Sequence, residues 1–263
     1  MQSVVIIKTD IKRYRLTTFN ELKKKLLLQC IDLDIMHTSA LNLEQTKGDT
    51  IDTSEFWGSF YKSFKLFEGR LLLYLIPIQL YLKPDLLILV QSNSNILNLF
   101  IIWLRKLYGK KTALWGHTRN YQSKKSLGLK KIVEKYRSFV NCSADYWFSY
   151  TEKTTFELIQ LGYDEKRIKT INNSICMESF FKNKTVTREN EITKILFCGA
   201  IYKDKKLDFV LSLASKLQAE PIEFIIAGTG PELAFIHAQF KKMQLTNVKF
   251  VGRIDGKEKE DLF

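Results

Sequence analysis

The chain has 263 residues, 45% of them hydrophobic, so it is long enough to bury the core of one large domain or two modest ones. Four prolines and twelve glycines exclude a long disordered linker, and the longest apolar runs, residues 71–82 and 96–104, fall short of the ~20 residues that span a bilayer. The amino terminus lacks the cationic-then-apolar order of a signal peptide. These features predict a cytoplasmic protein, either soluble or peripheral on the inner face of the cytoplasmic membrane.

The net charge of +13 is unevenly distributed. Residues 1–186 contain 29 Lys and Arg against 17 Asp and Glu, whereas residues 187–263 contain 12 against 11. Between Asp85 and Asp145 the only acid is Glu134. Eleven bases lie in the same interval: Arg105, Lys106, Lys110, Lys111, Arg119, Lys124, Lys125, Lys130, Lys131, Lys135 and Arg137. Such a patch attracts anionic lipid headgroups, lipid-pyrophosphate acceptors or nucleic acid, or it is only a solvated basic face. The sequence has no recognition-helix motif, which argues against nucleic acid.

The first elements predict a strand, a helix and a second strand. Residues 3–7 and 32–36 predict strands, and residues 19–30 have a helical period that turns Leu22, Leu26 and Leu27 inward. Tyr14 and Arg15 lie in the loop between the first strand and this helix. They either bind a ligand there or serve only in capping and packing.

The next segment is rich in aromatic residues. Phenylalanines at positions 56, 60, 64 and 67 recur at helical spacing, which predicts packing in a core or an interface. An aromatic and lysine surface on a membrane is the functional alternative. Residues 71–82 predict a helix, residues 83–85 a break, and residues 86–90 a strand.

A loop after the next predicted strand contains a histidine. Residues 96–108 predict a helix closed by Gly109, and residues 112–115 predict a strand, which His117, Arg119 and Asn120 follow. In parallel sheets ligands bind at the carboxyl ends of the strands. A neutral imidazole can donate or accept a hydrogen bond with a sugar hydroxyl, although a lone histidine is more often structural.

The remainder of this half continues the alternation. Residues 128–144 predict a basic helix, 146–150 a strand, 151–162 a helix and 168–171 a strand. Residues 183–191 are polar, charged and aperiodic, which predicts a linker between a first domain of residues 1–182 and a second of residues 192–263.

The last part of the chain predicts a β-loop-α-β unit. Its strands at residues 195–198 and 222–227 each end on glycine, and an amphipathic helix lies between them. Gly199 allows a sharp turn, and Lys205 and Lys206 place cations beside it, where a phosphate could meet them. Gly228 and Gly230 follow the second strand. Pro231 and Glu232 then open the next helix. Proline suits the first turn because it lacks the N–H that would have no partner there, and glutamate suits it because the start of a helix favours negative charge. The alternative is that these glycines only make tight turns.

No metal or disulfide framework is predicted. Cys30, Cys142, Cys176 and Cys198 are scattered, and the three histidines do not cluster with them. Cys198 lies in a predicted buried strand, so we expect it to be packed rather than reactive.

The motifs of the last β-loop-α-β unit resemble those of a known family. The segments FCGAIYKDKKLDFVLSLA, IIAGTGPELAF and VKFVGRID are similar to the donor-domain core of family 4 (group 1) glycosyltransferases of the two-Rossmann-domain (GT-B) type. In that family the glycine and lysine after the first strand bind the donor diphosphate, which implies this role for Gly199 and Lys205. The family often has arginine after that glycine and usually glycine after the lysine, where this chain has Ala200 and Lys206.

The first domain carries two further likenesses. WGHTRN resembles the "WGHG-x-N" signature of a bacterial branch, in which the histidine faces the donor sugar and acceptor, so the resemblance implies substrate contact for His117 and acceptor contact for Arg119 and Asn120. Tyr14 and Arg15 resemble the "YR-x-x-x-F" opening of some bacterial members, which implies an acceptor anchor.

The resemblance implies an α/β fold with two Rossmann-like domains (GT-B), the second incomplete. It implies a retaining transferase that moves a sugar from a UDP- or GDP-linked donor to a lipid-linked or saccharide acceptor, without an obligatory metal. The sequence has about two thirds of the family's usual length, so we expect a truncated product or one part of a split enzyme with a complementing polypeptide. A non-catalytic remnant that binds acceptor or membrane, and a sugar-nucleotide epimerase of the same architecture, are the alternatives.

Overall fold

The computed structural model describes residues 1–38, 51, 56–66, 71–92, 95, 97–118, 127–172, 192–254, 258–259 and 262. The chain divides into two compact units. Unit 1 comprises Met1–Gln45 and Asp49–Cys176, and unit 2 comprises Thr46–Gly48 and Met177–Phe263. The predicted linker, residues 183–191, lies outside the described residues, as does Cys176.

Unit 1 is built on a seven-stranded sheet in which every neighbouring pair is parallel. Across the sheet the strands are β3 (Ser59–Phe60), β2 (Ile31–His37), β1 (Gln2–Lys8), β6 (Leu86–Val90), β7 (Lys111–Gly116), β8 (Tyr146–Ser149) and β9 (Ile168–Thr170). The helices are α1 (Leu16–Leu27), α2 (Ile78–Leu82), α3 (Leu97–Leu107), α4 (Leu127–Ser143) and α5 (Glu152–Gln160). This is the predicted α/β class, with the six predicted strands present and β3 added at one edge.

Both faces of this sheet are buried. On β1, Val5 and Ile7 pack into one core together with Ile102 of α3, whereas Ile6 packs into the other core with Phe19 of α1. Successive side chains of a strand point to opposite faces, so an uninterrupted apolar run such as residues 4–7 fits a strand that is covered on both sides.

The prediction of a helix over residues 71–82 is wrong for its first half. Residues Leu71–Tyr74 form strand β5, which pairs antiparallel with β4 (Ser63–Leu66) in a separate two-stranded sheet. Leu72, Tyr74 and Ile76 are buried, while Leu75 is exposed, so the segment has a period of two. A short continuous apolar run does not separate strand from helix, and Pro77 divides this one into two elements.

The helical spacing of the upstream phenylalanines is not realised either. Phe60 lies in β3 and Phe64 in β4, and both side chains are about half exposed, whereas Phe56 is buried. Position 67 lies outside the described residues.

Of the three leucines of α1 that were predicted to face the core, Leu26 does so, whereas the prediction for Leu22 and Leu27 is wrong. Phe19 is the buried residue of this helix, with Leu16 and Leu26 partly buried against the same core, whereas Leu22 and Leu27 are exposed. The buried face also contains Lys23, whose ammonium group lies 3.8 Å from the centre of the Trp57 ring. A lysine stem can cover apolar surface while its charge reaches outward, so counting only apolar residues gave the wrong phase.

Unit 2 has a three-stranded parallel sheet with its own core. The strands run in the order β10 (Thr193–Cys198), β11 (Ile222–Ala227) and β12 (Val248–Gly252), and α6 (Leu207–Lys216) and α7 (Leu233–Lys242) connect them. Buried side chains from both helices meet Phe224 and Ile226 of β11. Cys198 is exposed, contrary to the prediction, because β10 has one neighbouring strand in the described sheet rather than two.

Candidate active site

His117 lies directly after β7, at the carboxyl edge of the unit 1 sheet. Its side chain is exposed, and its Nδ1 atom is 3.2 Å from the hydroxyl of Thr154, which is fully buried. Thr154 in turn lies beside Thr151, whose side chain caps the start of α5. The ring also packs edge-on against Tyr150 at 5.0 Å. These contacts hold the imidazole through one nitrogen and, among the described residues, leave Nε2 without a partner.

The neighbouring residue explains part of this loop's shape. Thr118 is 1% exposed and its hydroxyl donates to the carboxylate of Glu157 on α5. The residue therefore anchors the loop to a helix. Arg119 and Asn120, the next two predicted site residues, lie outside the described residues.

Arg15 is buried against three aromatic rings. Its guanidinium carbon lies 5.6 Å from the centre of the Tyr14 ring, 5.9 Å from Trp115 and 5.8 Å from Tyr150. Arg15 is 6% exposed, whereas Tyr14 is 47% exposed. Arg15 and the Tyr150 hydroxyl are hydrogen-bonded, and burial raises the pKa of Tyr150 above its ordinary value while Arg15 opposes that rise. Because Tyr150 contacts both Arg15 and His117, the structure brings these two predicted residues together at one edge of unit 1.

Lys8 joins this group, although the sequence analysis did not select it. It is the last residue of β1, and its ammonium group lies 4.8 Å from the centre of the Trp115 ring and 6.0 Å from that of Phe19. Burial and the neighbouring charge of Arg15 lower the pKa of Lys8 to about 8. Its position in the sequence VVIIKTD, where a cation ends a buried strand, is the signal that could have revealed it.

In unit 2 the two glycine loops pack directly on each other. A Cβ atom at Gly228 would overlap the carbonyl oxygen of Gly199, and one at Gly230 would overlap that of Ile201. The Gly199 N–H donates to Ala227 at 2.9 Å. The Ile201 N–H likewise donates to the Thr229 carbonyl at 2.9 Å. Gly228 and Gly230 therefore allow two loops to touch, and several backbone donors of these loops are already used.

The predicted cations follow the first of these loops. Lys205 is exposed and ends a 3-10 turn, Lys203–Lys205. Lys206 lies between this turn and α6, in a left-handed conformation with φ of 54°. Glycine is the residue that adopts this conformation at the lowest cost. The structure thus gives a backbone reason why the resembled family usually has glycine where this chain has Lys206.

Glu232 lies just before α7 rather than inside its first turn. The helix begins at Leu233, and Glu232 makes no side-chain capping hydrogen bond, although its N–H donates to the Ile201 carbonyl at 3.3 Å. Pro231 precedes it in the turn. The prediction that these two residues form the first turn of the helix was therefore early by two positions.

Among the described residues, no three His, Cys, Asp or Glu side chains are placed to hold a metal ion. In the same part of the chain, none of the helices combines the length and the apolar character needed to cross a membrane.

A protein-family model matches the sequence of the second unit. The family model described as "Glycosyl transferases group 1" matches residues 178–263, about a third of the chain. A curated relative, an uncharacterized 41.2 kDa protein in the cps region of Klebsiella pneumoniae, is 23% identical over 147 residues. That match covers 54% of this chain but 38% of the relative, so the chain spans well under two thirds of the relative's length.

Solved structures show the same fold over nearly the whole chain. Anabaena Alr3699/HepE in complex with UDP is 11% identical, with a TM-score of 0.66 over 100% of this chain and 71% of that one. The lipopolysaccharide outer core galactosyltransferase WaaB gives 12% identity and a TM-score of 0.61 over 98% and 70%. UDP-GlcNAc 2-epimerase from Neisseria meningitidis gives 13% and 0.60 over 100% and 74%. The fold is therefore the α/β fold of these proteins, with Rossmann-like units.

Proposed function

We propose that this chain functions as a glycosyltransferase that moves a sugar from a nucleotide-diphosphate donor to a lipid-linked or saccharide acceptor in bacterial surface polysaccharide synthesis. The observation that carries the proposal is that the group 1 glycosyl transferase match covers the described part of unit 2, where the glycine loops and Lys205 lie. The likenesses to WaaB and to the Klebsiella protein of the cps region support the polysaccharide assignment.

The donor diphosphate is held in this proposal by charge rather than by glycine N–H groups. The loop N–H groups of Gly199, Ile201 and Gly228 donate within unit 2, so they are not available to a phosphate. Lys205 supplies the main cation and Lys206 a second one, and the start of α6 adds its dipole. Glu232 lies beside the second loop, in a position to accept a hydrogen bond from the donor.

Transfer needs little covalent chemistry from the protein. The bond between the anomeric carbon and the diphosphate oxygen breaks, a bond from the acceptor hydroxyl forms with retention, and the hydroxyl proton leaves with the nucleoside diphosphate. Lysine cations and helix ends stabilise the departing charge, so an obligatory metal is not expected. His117 presents Nε2 to a sugar hydroxyl because Thr154 holds the other ring nitrogen.

Calorimetric titration of the full chain with UDP, GDP and their sugars tests the donor site. We expect saturable binding that Lys205→Ala weakens by about tenfold or more, because a charge-assisted hydrogen bond contributes about 1.5–3 kcal/mol. Lys216→Ala, which removes an exposed lysine at the other end of α6, is the control and should bind as the wild type does. Equal affinity of Lys205→Ala and wild type would refute the role of Lys205. Binding without transfer to any acceptor would indicate a non-catalytic module.

An epimerase is the second candidate, because UDP-GlcNAc 2-epimerases share the fold at a TM-score of up to 0.60. The two candidates differ in what they do without an acceptor. Incubation with UDP-GlcNAc alone, followed by proton NMR, should leave the sugar unchanged if the chain is a transferase. Accumulation of the 2-epimer would favour the epimerase.

We further propose that unit 1 associates with an anionic membrane surface, and an exposed aromatic surface supports this. Trp103 of α3 stacks with Phe139 of α4 at 6.4 Å, and both side chains are at least half exposed. Phe100 and Leu107 extend the same exposed stripe along α3 at helical spacing. The ammonium group of Lys106 lies 5.9 Å from the centre of the Trp103 ring. Aromatic side chains beside lysines match the interface of an anionic bilayer.

Sedimentation with vesicles tests this association. The full chain should sediment with anionic vesicles at low salt, and the double variant Trp103→Ser with Phe139→Ser should sediment several-fold less, because it loses buried aromatic area at the interface. Phe156→Ser on α5 removes an aromatic side chain that is also exposed and serves as the control. Sedimentation of the double variant equal to that of wild type would exclude this surface.

A further inference from the structure

We propose that Lys8, Arg15 and Trp115 form an anion subsite in unit 1 that binds the phosphate or diphosphate group of a ligand. Both cations lie on the same indole, with Lys8 Nζ 4.8 Å and the Arg15 guanidinium carbon 5.9 Å from the Trp115 ring centre. Lys8 ends β1, Trp115 lies one residue before the end of β7, and Arg15 immediately precedes α1. All three therefore lie at the carboxyl edge of one parallel sheet, where ligands of such sheets bind.

The first argument concerns the charges around the two cations. Among the described residues, no carboxylate forms an ion pair with Lys8 or Arg15, and nearby Asp10 is 3.0 Å from Lys12 instead. A buried charge without an ionic partner is costly, and a second like charge beside it adds repulsion. Burial, Arg15 and Lys12 all lower the pKa of Lys8, and only Asp10 opposes them. An arriving anion would relieve both costs at once.

The second argument is an unused donor on the ring that both cations approach. Trp115 is 6% exposed, and its indole N–H is buried with no acceptor in the described part of the chain. Buried tryptophans usually place this N–H on a partner, as Trp147 does by donating to the Asn141 carbonyl at 3.0 Å. An unused N–H on an indole that a guanidinium and an ammonium group both approach matches an acceptor-rich anion such as a phosphate.

The chemistry favours a phosphate over a sugar hydroxyl. A hydroxyl neither neutralises two cations nor accepts three donors, whereas a phosphate oxyanion does both. The source of the phosphate rests on the proposed function: with the donor diphosphate assigned to unit 2, the group bound here belongs to the acceptor. The subsite therefore favours an acceptor that carries a phosphate or diphosphate group over a neutral saccharide.

Calorimetric titration of the full chain with geranyl diphosphate and with inorganic pyrophosphate tests the subsite. Lys8→Met keeps the apolar stem and removes the charge, and Trp115→Phe keeps a ring and removes the N–H. Each should weaken binding of both probes by about tenfold or more. Lys24→Met removes an exposed lysine of α1 with the same charge change and should leave both affinities unchanged. Thermal unfolding of each variant shows whether it is folded.

Titration of the same variants with UDP shows whether the bound phosphate belongs to the acceptor or to the nucleotide donor. If the subsite serves the acceptor, Lys8→Met should leave UDP affinity unchanged while Lys205→Ala lowers it. A parallel loss of UDP and geranyl diphosphate affinity in Lys8→Met would retain the anion subsite and assign it to the donor. Unchanged affinity of folded Lys8→Met and Trp115→Phe for every probe would overturn the subsite. That result is independent of UDP binding at Lys205, so either proposal can fail alone.

Discussion

Two sets of cations in unit 1, Arg105 on the one hand and Lys8 with Arg15 on the other, have opposite surroundings. Arg105 and Arg15 are buried, and Lys8 is partly buried. Arg105 on α3 is 0% exposed, and its Nε donates to the Thr112 hydroxyl at 3.1 Å. Its terminal nitrogens donate to the backbone carbonyls of Tyr81, Pro84, Asp85 and Lys111. Lys8 and Arg15 instead lie against aromatic rings. Among the described residues, Tyr150 is the side chain with which Arg15 forms a hydrogen bond.

The difference follows the direction of the sheet. Asp85 precedes β6 and Lys111 begins β7, so Arg105 joins chain segments at the amino ends of strands, away from the edge at which ligands bind. Lys8 and Trp115 lie at the carboxyl ends. Burial lowers the pKa of Arg105 to about 10, with Asp145 and Asp85 opposing, so it stays charged at neutral pH and fully bonded. A buried cation that is surrounded by hydrogen-bond acceptors thus has a structural role, whereas one that lies against aromatic rings is a candidate for binding a ligand.

The largest predicted effect is the loss of the Arg105 network. Arg105→Met should lower the free energy of unfolding by about 3–5 kcal/mol, because several buried carbonyls lose their donor at once. Denaturant unfolding measures this loss. Lys106→Met on the same helix removes an exposed charge and should change stability by less than about 0.5 kcal/mol. Equal stability of the two variants would mean that the carbonyls find other donors and that the network is not structural.

The second effect is a pH dependence with a defined sign. The folded pKa of Lys8, about 8, lies below its ordinary value of 10.5, so the unfolded chain binds more protons between these values. The cost of burying the charge is therefore fully present below pH 8 and is lost as the pH rises towards 10.5. Raising the pH from 7 to above 10.5 should therefore stabilise the wild type by about 3 kcal/mol more than it stabilises Lys8→Met. The tyrosines titrate in the wild type and in Lys8→Met alike, so their contribution cancels in the difference between the two proteins. If the stabilities of both proteins changed in parallel with pH, the lowered pKa of Lys8 would be contradicted.

The third effect is the stability of Lys8→Met itself at pH 7. Lys8 is a partly buried charge that has no ion-pair partner among the described residues, so replacing it by an apolar side chain of similar length should raise the free energy of unfolding by about 1–2 kcal/mol. Chemical denaturation at pH 7 measures it. A loss of stability would mean that contacts with the aromatic rings outweigh the cost of burial, and the contrast with Arg105 would then be smaller than inferred.

Much of the fold could be predicted because its strands are continuous apolar runs that end in clear turns. Residues 86–90 coincide with β6, and residues 222–227 coincide with β11. The strand β5 was mistaken for helix because periodicity is ambiguous in a short, wholly apolar segment such as LLLYLIPIQL. The phase of α1 was misjudged because a lysine lies on its buried face.

The candidate site was predicted less completely, for a different physical reason. Glycines and lysines in loops are visible in a sequence, so Gly199, Lys205 and His117 could be selected from the order of residues. The roles of Lys8 and Trp115 depend on which acceptors are absent around them, and the sequence does not show this. Nor does it show that Gly228 and Gly199 make backbone contact, which requires the two loops to be placed in space.

The smallest effect compares two buried tryptophans that differ in one hydrogen bond. Trp147 is 0% exposed and its N–H donates to the Asn141 carbonyl, whereas Trp115 is 6% exposed and its N–H has no acceptor in the described structure. Replacing either by phenylalanine removes similar volume, so the cavity costs largely cancel. Trp147→Phe should therefore be less stable than Trp115→Phe by about 1 kcal/mol, the net contribution of one hydrogen bond.

Denaturant unfolding of both variants without ligand measures that difference. Repeating it with saturating geranyl diphosphate should stabilise Trp147→Phe more than Trp115→Phe, because only the first retains the indole donor of the anion subsite. If the ligand stabilises both variants equally, the Trp115 N–H is a structural defect that no ligand uses. The unpaired cations beside it would then have to be explained by a contact other than a phosphate.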